Sequence, residues 1–509
     1  MLIFLLFYVF NVHQAYGNQT DSCNINACQV YDVLYGEIRN QTYGSDIIKL
    51  ERKIRSLDQP VWEISSSNER WLDCTKGPCK CRPEIKSVNC WNSNLEVLPY
   101  RQILPVDVHT IDLGVNSLTT LNKYAFHHLA HISEIDLFDN NLDYLPATIF
   151  HHLGHLRYLR IHKNQLEELL PSLLDTLIRL ESLDLSNNRI NTLPETIFRD
   201  NTNVNIIHLS GNRIQVLPQY IFQDLGKLED LDLSQNKIQV LQKDVFRDLY
   251  ELKLLKLSEN DLVYLPIGIF RNLHHLTYLN LKKNKLEHVS NGIFNNLKSL
   301  HVLDLTANRI QELTSTDFVN LNNLKELWLD QNFINEIPED IFSDLENLQA
   351  LMLQSNNLIE LKERSFAGLD NLTSLLINKN MLDTVHPNLF TFTPKLQKLS
   401  IDSNQFHFLP EKSLDVLDHL IYIMLAKNPW HCDCSILYLA LWISENQSKV
   451  WDTQPSCRGP GNLGGLYLKD MNFNNLCDGQ WASMLHLSPR IPIKNFQPTI
   501  PTESNDTLK

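Results

Sequence analysis

The chain has 509 residues, of which 43% are apolar, and its 59 acidic and 45 basic side chains leave a net charge of −14. With no run of five or six basic residues in it, this acidic balance argues against a nucleic-acid partner, whose phosphates need clustered Lys and Arg. Length alone would suggest three or four globular domains, but an internal period overrides that inference.

In chain order, residues 1–17 read as a secretory signal peptide. Leu2 to Phe10, "LIFLLFYVF", form a short apolar core, and "AYG" ending at Gly17 supplies small residues for cleavage. Nine or ten apolar residues fall short of the roughly 20 needed to cross a bilayer. No later segment is apolar enough to span, so the expected product is soluble and secreted, with no membrane span. Residues 18–73 form a polar N-terminal extension that matches no repeat and is expected to be partly disordered. Within it, "SDIIKLERKIRSLD" fits a short amphipathic helix and "VWEI" around Trp62 a docking segment. Five Asn-x-Ser/Thr sequons, at Asn18, Asn40, Asn371, Asn446 and Asn505, are candidate glycosylation sites in a secreted chain.

From residue 100 to 427 one beat dominates. Fourteen asparagines from Asn116 to Asn428 follow one another every 24 residues without insertion or deletion. The strings "LDLSNNRI" around Asn188 and "LDLSQNKI" around Asn236 fit the leucine-rich-repeat pattern L-x-L-x-x-N-x-L, the signature of a solenoid. Leu or Ile five and three places before each asparagine predicts a short strand with those side chains inward. The asparagine amide is placed to bond main-chain groups along the stack. Ten residues further on, Phe126, Phe150, Phe198 and their successors predict a second buried column, broken only at Leu174 and Leu414.

The cysteines avoid the repeats. Cys74, Cys79, Cys81 and Cys90 precede them, in an N-terminal cap over 74–99 that includes the first repeat. Cys432, Cys434, Cys457 and Cys477 follow them, in a cap over 428–478, and a polar tail fills 479–509. Cys23 and Cys28 stand upstream and are expected to pair with each other. Even numbers of cysteine in a secreted chain predict disulfides, and four in a cap allow three pairings. His431 with Cys432 and Cys434 also has the residue types of a zinc site, but an oxidising compartment favours disulfides. The strings "NPWHCDCSILYLALWI" and "CTKGPCKC" resemble the two cysteine-rich caps of secreted, extracellular leucine-rich-repeat proteins. That group includes the large subunit of carboxypeptidase N, the acid-labile subunit and the repeat modules of Slit. The resemblance implies Cys74–Cys81, Cys79–Cys90, Cys432–Cys457 and Cys434–Cys477. It also implies the fold, an α/β solenoid shaped as a leucine-rich-repeat horseshoe with a concave parallel β-sheet and disulfide-stapled caps.

Such a horseshoe leaves its concave sheet bare for binding. The outward residues lie six, four and two places before each asparagine. In the middle column the first nine, Asp112 to Asp304, are polar or charged, and then Trp328, Met352 and Leu376 come in consecutive repeats. With Ala350 beside them, Tyr422 and Met424 two strands on, and Asp304, Glu326 and Asp330 as an acidic rim, they form the expected protein-binding patch. The competing reading covers these residues with the N-terminal extension or a glycan. Leu254, Tyr278 and Val302 make a second apolar run, and Phe138, Tyr158, Arg160 and His162 an aromatic and cationic group. His127, His128, His131, His151, His152 and His155 recur at the repeat period and read as surface residues rather than a metal or pH-responsive site.

No nucleophile elbow or phosphate loop appears in its required context, so no catalysis, cofactor or metal is expected. By resemblance the chain is a non-catalytic partner of extracellular proteins, as a carrier or stabilising subunit. A matrix, guidance or adhesion ligand and an innate-immune pattern-recognition protein are the alternatives.

Overall fold

The computed structural model describes residues 44–65, 71–289 and 292–477. Its centre is one 16-stranded sheet, running from Lys80–Arg82 to Tyr422–Met424 in chain order with two exceptions, the strand Ile103–Pro105, which pairs elsewhere, and a two-residue strand pair on the shoulder at Glu360–Leu361 and Thr384–Val385. Each strand is three residues long and, from Ser87–Asn89 onward, has its central side chain buried; in the repeats the flanking ones face the bare concave side, as at Asp230-Leu231-Asp232. The first pair, Lys80–Arg82 with Ser87–Asn89, is antiparallel. From Ser87–Asn89 onward every pairing is parallel, and from Thr110–Asp112 onward in step with the repeat, Leu231 opposite Ile207 and Leu255.

The asparagines form the spine. Asn236 donates through Nδ2 to the carbonyls of Leu233 (3.1 Å) and Leu209 (3.0 Å), while its Oδ1 accepts the Ile214 amide at 3.0 Å. Leu209 O also accepts from Asn212, and Leu233 O from Asn260. Each of these carbonyls is thus shared by two asparagines, and Asn236 also reaches Ser234 O at 3.2 Å, in a chain of bonds without a free end between repeats. Only an amide serves, because a carboxylate has no donor. The residue before each asparagine takes a left-handed backbone, φ 54 at Gln235 and φ 55 at Val115. Asn and Gly visit that region readily, whereas a β-branched side chain is strained there.

The chain returns on the convex side through turns. Among the described repeats the only helical return is the 3-10 turn Leu389–Phe392, so the helical part of the fold lies in the flanking segments rather than in the repeats. The Phe column stacks down this side with ring centroids 6.0 Å apart at Phe198–Phe222 and 6.4 Å at Phe246–Phe270. Strands in a sheet sit about 4.8 Å apart. The wider spacing of the aromatic column bends the stack and makes the sheet concave.

All four disulfides implied by the resemblance are present: Cys74–Cys81, Cys79–Cys90, Cys432–Cys457 and Cys434–Cys477. Both cysteines of the candidate zinc string are therefore consumed in disulfides. Inside the N-terminal cap the buried Gln102 donates to the carbonyls of Cys74 and Cys79 and accepts the Cys79 amide. At the other end Trp430 is fully buried, stacked on Phe406 at 6.3 Å, and donates to Leu425 O at 3.1 Å. Cys23 and Cys28 lie outside the described residues, as do the leader and the tail.

The expected amphipathic helix spans Gly44–Leu57. Its basic side chains meet acids on the turns that leave the sheet: Arg55 with Asp143 (2.5 Å), Arg52 with Glu167 (2.9 Å) and Lys49 with Glu168 (2.7 Å). Asn122 donates to the carbonyls of Leu57 and Gln59. Trp62 is buried, and Glu63–Ser65 pairs in parallel with Ile103–Pro105, the expected docking segment.

Replacing Asn236 by Ala removes these bonds and strands the buried Ile214 amide, so urea denaturation should show a loss of about 2–3 kcal/mol. Val115→Asn relieves the strained backbone and should raise stability by about 1 kcal/mol in the same assay.

Candidate binding surface

Because each strand is short and held on both sides, the concave columns are placed rigidly. The register sets Trp328 beside Met352, Met352 beside Leu376, Leu376 beside Ser400 and Ser400 beside Met424. Trp328, Met352 and Leu376 are each half-buried, with a face left to solvent. Trp328 Nε1 donates to Glu326 at 3.1 Å, which fixes the indole on the sheet. Ala350 lies beside Glu326 in the neighbouring column.

The second apolar run joins this ladder. Leu254, Tyr278 and Val302 pair in consecutive strands, and Val302 stands opposite Glu326 while Asp304 stands opposite Trp328. Val302 is therefore the diagonal neighbour of Trp328, within reach of a large aromatic. One apolar band crosses six repeats from Leu254 to Leu376, shifting by one column midway.

The acidic rim differs from expectation. Asp304 is 1% exposed and accepts the Thr306 amide at 2.9 Å; Asp330 is 6% exposed and accepts the Thr306 hydroxyl at 2.8 Å. Both carboxylates hold neighbouring turns, and burial pushes the Asp304 carboxyl up. Glu326 alone of the three remains half-exposed on the face.

Beyond Ser400, Tyr422 and Met424 are half-buried, and the C-terminal cap extends their surface. Val450 bridges Ile423 in parallel, and Trp451 packs on Tyr422 with ring centroids 5.1 Å apart while remaining 64% exposed. Trp451 belongs with this patch but escapes sequence reasoning, since it lies outside the 24-residue period. Its only signal is an aromatic residue between cap cysteines.

Toward the N-terminus the face is charged and internally paired. Arg160 reaches Glu134 (2.5 Å) and Asp136 (3.3 Å), Tyr158 donates to Glu181, and Phe138 stacks on His162 at 5.0 Å. Burial alone would raise the Asp184 carboxyl, but bonds from His162 (3.1 Å) and Ser186 outweigh it and hold it at about 2. The Asp230 carboxylate at 3.3 Å draws the His208 imidazole up.

On the outer surface the His127 ring lies 4.0 Å from His128 and 4.7 Å from His152, and His131 lies 6.3 Å from His155. Desolvation and the like-charged neighbours push His127 down. Among the described residues no group of three or more His, Cys, Asp or Glu side chains is arranged to hold a metal ion, and no helix is long and apolar enough to cross a membrane. Of the sequons, Asn371 donates to Glu346 O and accepts from Lys395, and Asn446 ends the helix Leu437–Glu445 and donates to Trp442 O. Asn18, Asn40 and Asn505 lie outside the described residues. The described part of the N-terminal extension docks beside residues 103–168, many repeats from Trp328, so it leaves the apolar band uncovered.

A disulfide-capped solenoid with a bare, rigid sheet is a binding scaffold. The leucine-rich-repeat family model matches overlapping stretches from 106–166 through to 346–406, more than half of the sequence, and the chain belongs to that family. Comparison with curated proteins gives no significant match. Among solved structures, TLR13 in its complex with ssRNA13 is 26% identical with a TM-score of 0.61, over 72% of this chain and 54% of that one. Toll from the glycosylated Toll–Spatzle complex of Drosophila is 25% identical with a TM-score of 0.65, over 72% and 51%. This chain therefore spans about half the length of each. A Leptospira interrogans repeat protein, 24% identical with a TM-score of 0.57 over 77% of this chain and 100% of its own, shares the fold.

The elevated His208 contributes stability that is full below its unfolded value near 6.5 and fades as pH rises through the higher folded value. Urea midpoints should therefore fall from pH 6 to pH 8.5 by more in the parent than in His208→Gln, the difference staying below about 1 kcal/mol because the pair is partly solvated.

Proposed function

We propose that this chain is an extracellular, non-catalytic scaffold that binds another protein on its concave face, as a carrier or stabilising subunit. The band from Leu254 through Trp328 to Leu376 carries the proposal. A solvent-facing apolar strip centred on a tryptophan, held on strands that cannot rearrange, supplies hot-spot energy at little ordering cost. The four disulfides suit an oxidising compartment, and the leader-like residues 1–17 agree with export.

Protein is favoured over nucleic acid as the partner. Of the structural neighbours, TLR13 is in complex with single-stranded RNA and Toll with the protein Spatzle. On this chain the concave columns carry Asp112, Glu134, Asp136, Asp184, Asp230 and Asp232 against few cations, a surface that repels phosphate. The likeness to Toll, whose complex with Spatzle is a molecular hub in development and innate immunity, supports immune recognition as the second reading. The resemblance to Slit keeps guidance or adhesion as a third.

Pull-down from body fluid with the secreted protein should recover a partner that Trp328→Ala with Met352→Asp loses by at least tenfold. Equal capture by both would remove the apolar band from the interface. A co-purifying peptidase or growth-factor complex would favour the carrier form, and binding to cell surfaces the guidance form.

A further inference from the structure

The residue after each spine asparagine lies on the edge where the chain leaves the concave sheet. Its backbone amide still bonds the preceding repeat: Arg189 to Leu166 O and Arg213 to Ile190 O at 2.8 Å, and Lys237 to Ile214 O at 2.9 Å. This bonding keeps the three cations in one row at the strand spacing of about 4.8 Å. All three side chains are exposed. The acids that border the row are engaged elsewhere, Glu167 with Arg52, Glu259 with Lys283 and Asp261 with Lys285. Arg52 first, and Arg189 and Arg213 from further off, hold the Glu167 carboxyl below the usual carboxylate range.

The rows on either side are uncharged. Two residues after the cations come Asn191, Gln215 and Gln239, and two residues before them Asn187 and Gln235, with Gly211 between these two. All five carboxamides are exposed, and Gln235 donates to the bordering Glu259 at 3.4 Å. Three consecutive repeats therefore present guanidinium, ammonium and carboxamide groups without a carboxylate, on a chain whose net charge is −14. Past Asp261 the row of cations resumes with Lys285 and Arg309. Its members stand 24 residues apart, so the strip leaves no basic run in the sequence.

We propose that this strip binds a sulfated polysaccharide, with sulfate groups on Arg189, Arg213 and Lys237 and sugar hydroxyls on the flanking carboxamides. Cations at a short, regular interval match a polymer that carries its anions along a line. Arginine offers such an oxyanion a fork of donors. Hydroxyls need partners that both donate and accept, and a carboxamide does both. Single-stranded nucleic acid is also a linear polyanion, but its bases stack on aromatic side chains, and the strip has none. The strip lies on the rim, apart from the apolar band. A molecule held on a glycan through it keeps its concave face open to a protein.

Fluorescence anisotropy with the full chain and a labelled heparin hexasaccharide tests this. The expected result is saturable binding that weakens steeply with salt. Arg189→Gln with Arg213→Gln and Lys237→Gln should lose affinity by at least about tenfold and flatten the salt slope by about 2–3. Gln at these exposed positions leaves the fold unchanged. A control on the opposite edge, Lys298→Gln with Lys325→Gln and Lys395→Gln, removes the same charge and should bind like the parent. A single-stranded DNA of equal charge should bind at least about tenfold more weakly than the hexasaccharide. No binding by the parent, equal affinity in the rim variant, an equal loss in the control, or tighter binding of the DNA would each overturn the proposal.

Discussion

Everything in this molecule depends on a side-chain amide that has to reach backward into the preceding repeat. Each spine asparagine holds at least two carbonyls and one amide, and between repeats the carbonyl is held by two asparagines. A residue gained or lost between a strand and its asparagine would move the amide off its partners and leave buried main-chain groups unpaired, at a cost of about 1–3 kcal/mol for each. The fixed spacing of strand and asparagine is the consequence. The first step, from Ser87–Asn89 to Thr110–Asp112, is one residue shorter overall and still lets Asn116 reach the Cys90 carbonyl. The left-handed residue before each asparagine serves the same end, turning the chain so that the amide points inward even where, as at Val115, the side chain suits that conformation poorly.

The spine decides where the rest of the chain is free. With the asparagines, the inward Leu and Ile, and the Phe column all committed to the interior, only the outward strand positions and the turns can differ from repeat to repeat without loss of stability. The concave face uses this freedom in two ways. Its N-terminal half pairs charges among neighbouring strands, as with Arg160, His162 and His208. Its C-terminal half carries an apolar band that no other part of the described structure covers.

Strand register, the asparagine ladder and the stacked phenylalanines were legible in the sequence because each follows from period alone. The cap disulfides were legible only through resemblance, since spacing leaves three pairings per cap. Legibility failed where a side chain's surroundings come from another repeat or from outside the period. Asp304 and Asp330 look like rim acids in the sequence but are buried, because Thr306 stands between them and takes both carboxylates. Trp451 extends the patch at Tyr422 from within the cap, where no repeat predicts its position. Gln102 gives no local sign that it stitches the main chain around two cap cysteines.

A parallel sheet built from identical steps has two ends that could each accept another copy's strand in the same direction. At the N-terminal end the hairpin strand Lys80–Arg82 runs opposite to all the others. A second molecule offering its final strand there would meet the wrong polarity, and its ladder of asparagines would find no carbonyls in step. Head-to-tail growth into an open filament, the hazard of any repeating surface that fits itself, is blocked by three residues turned the other way.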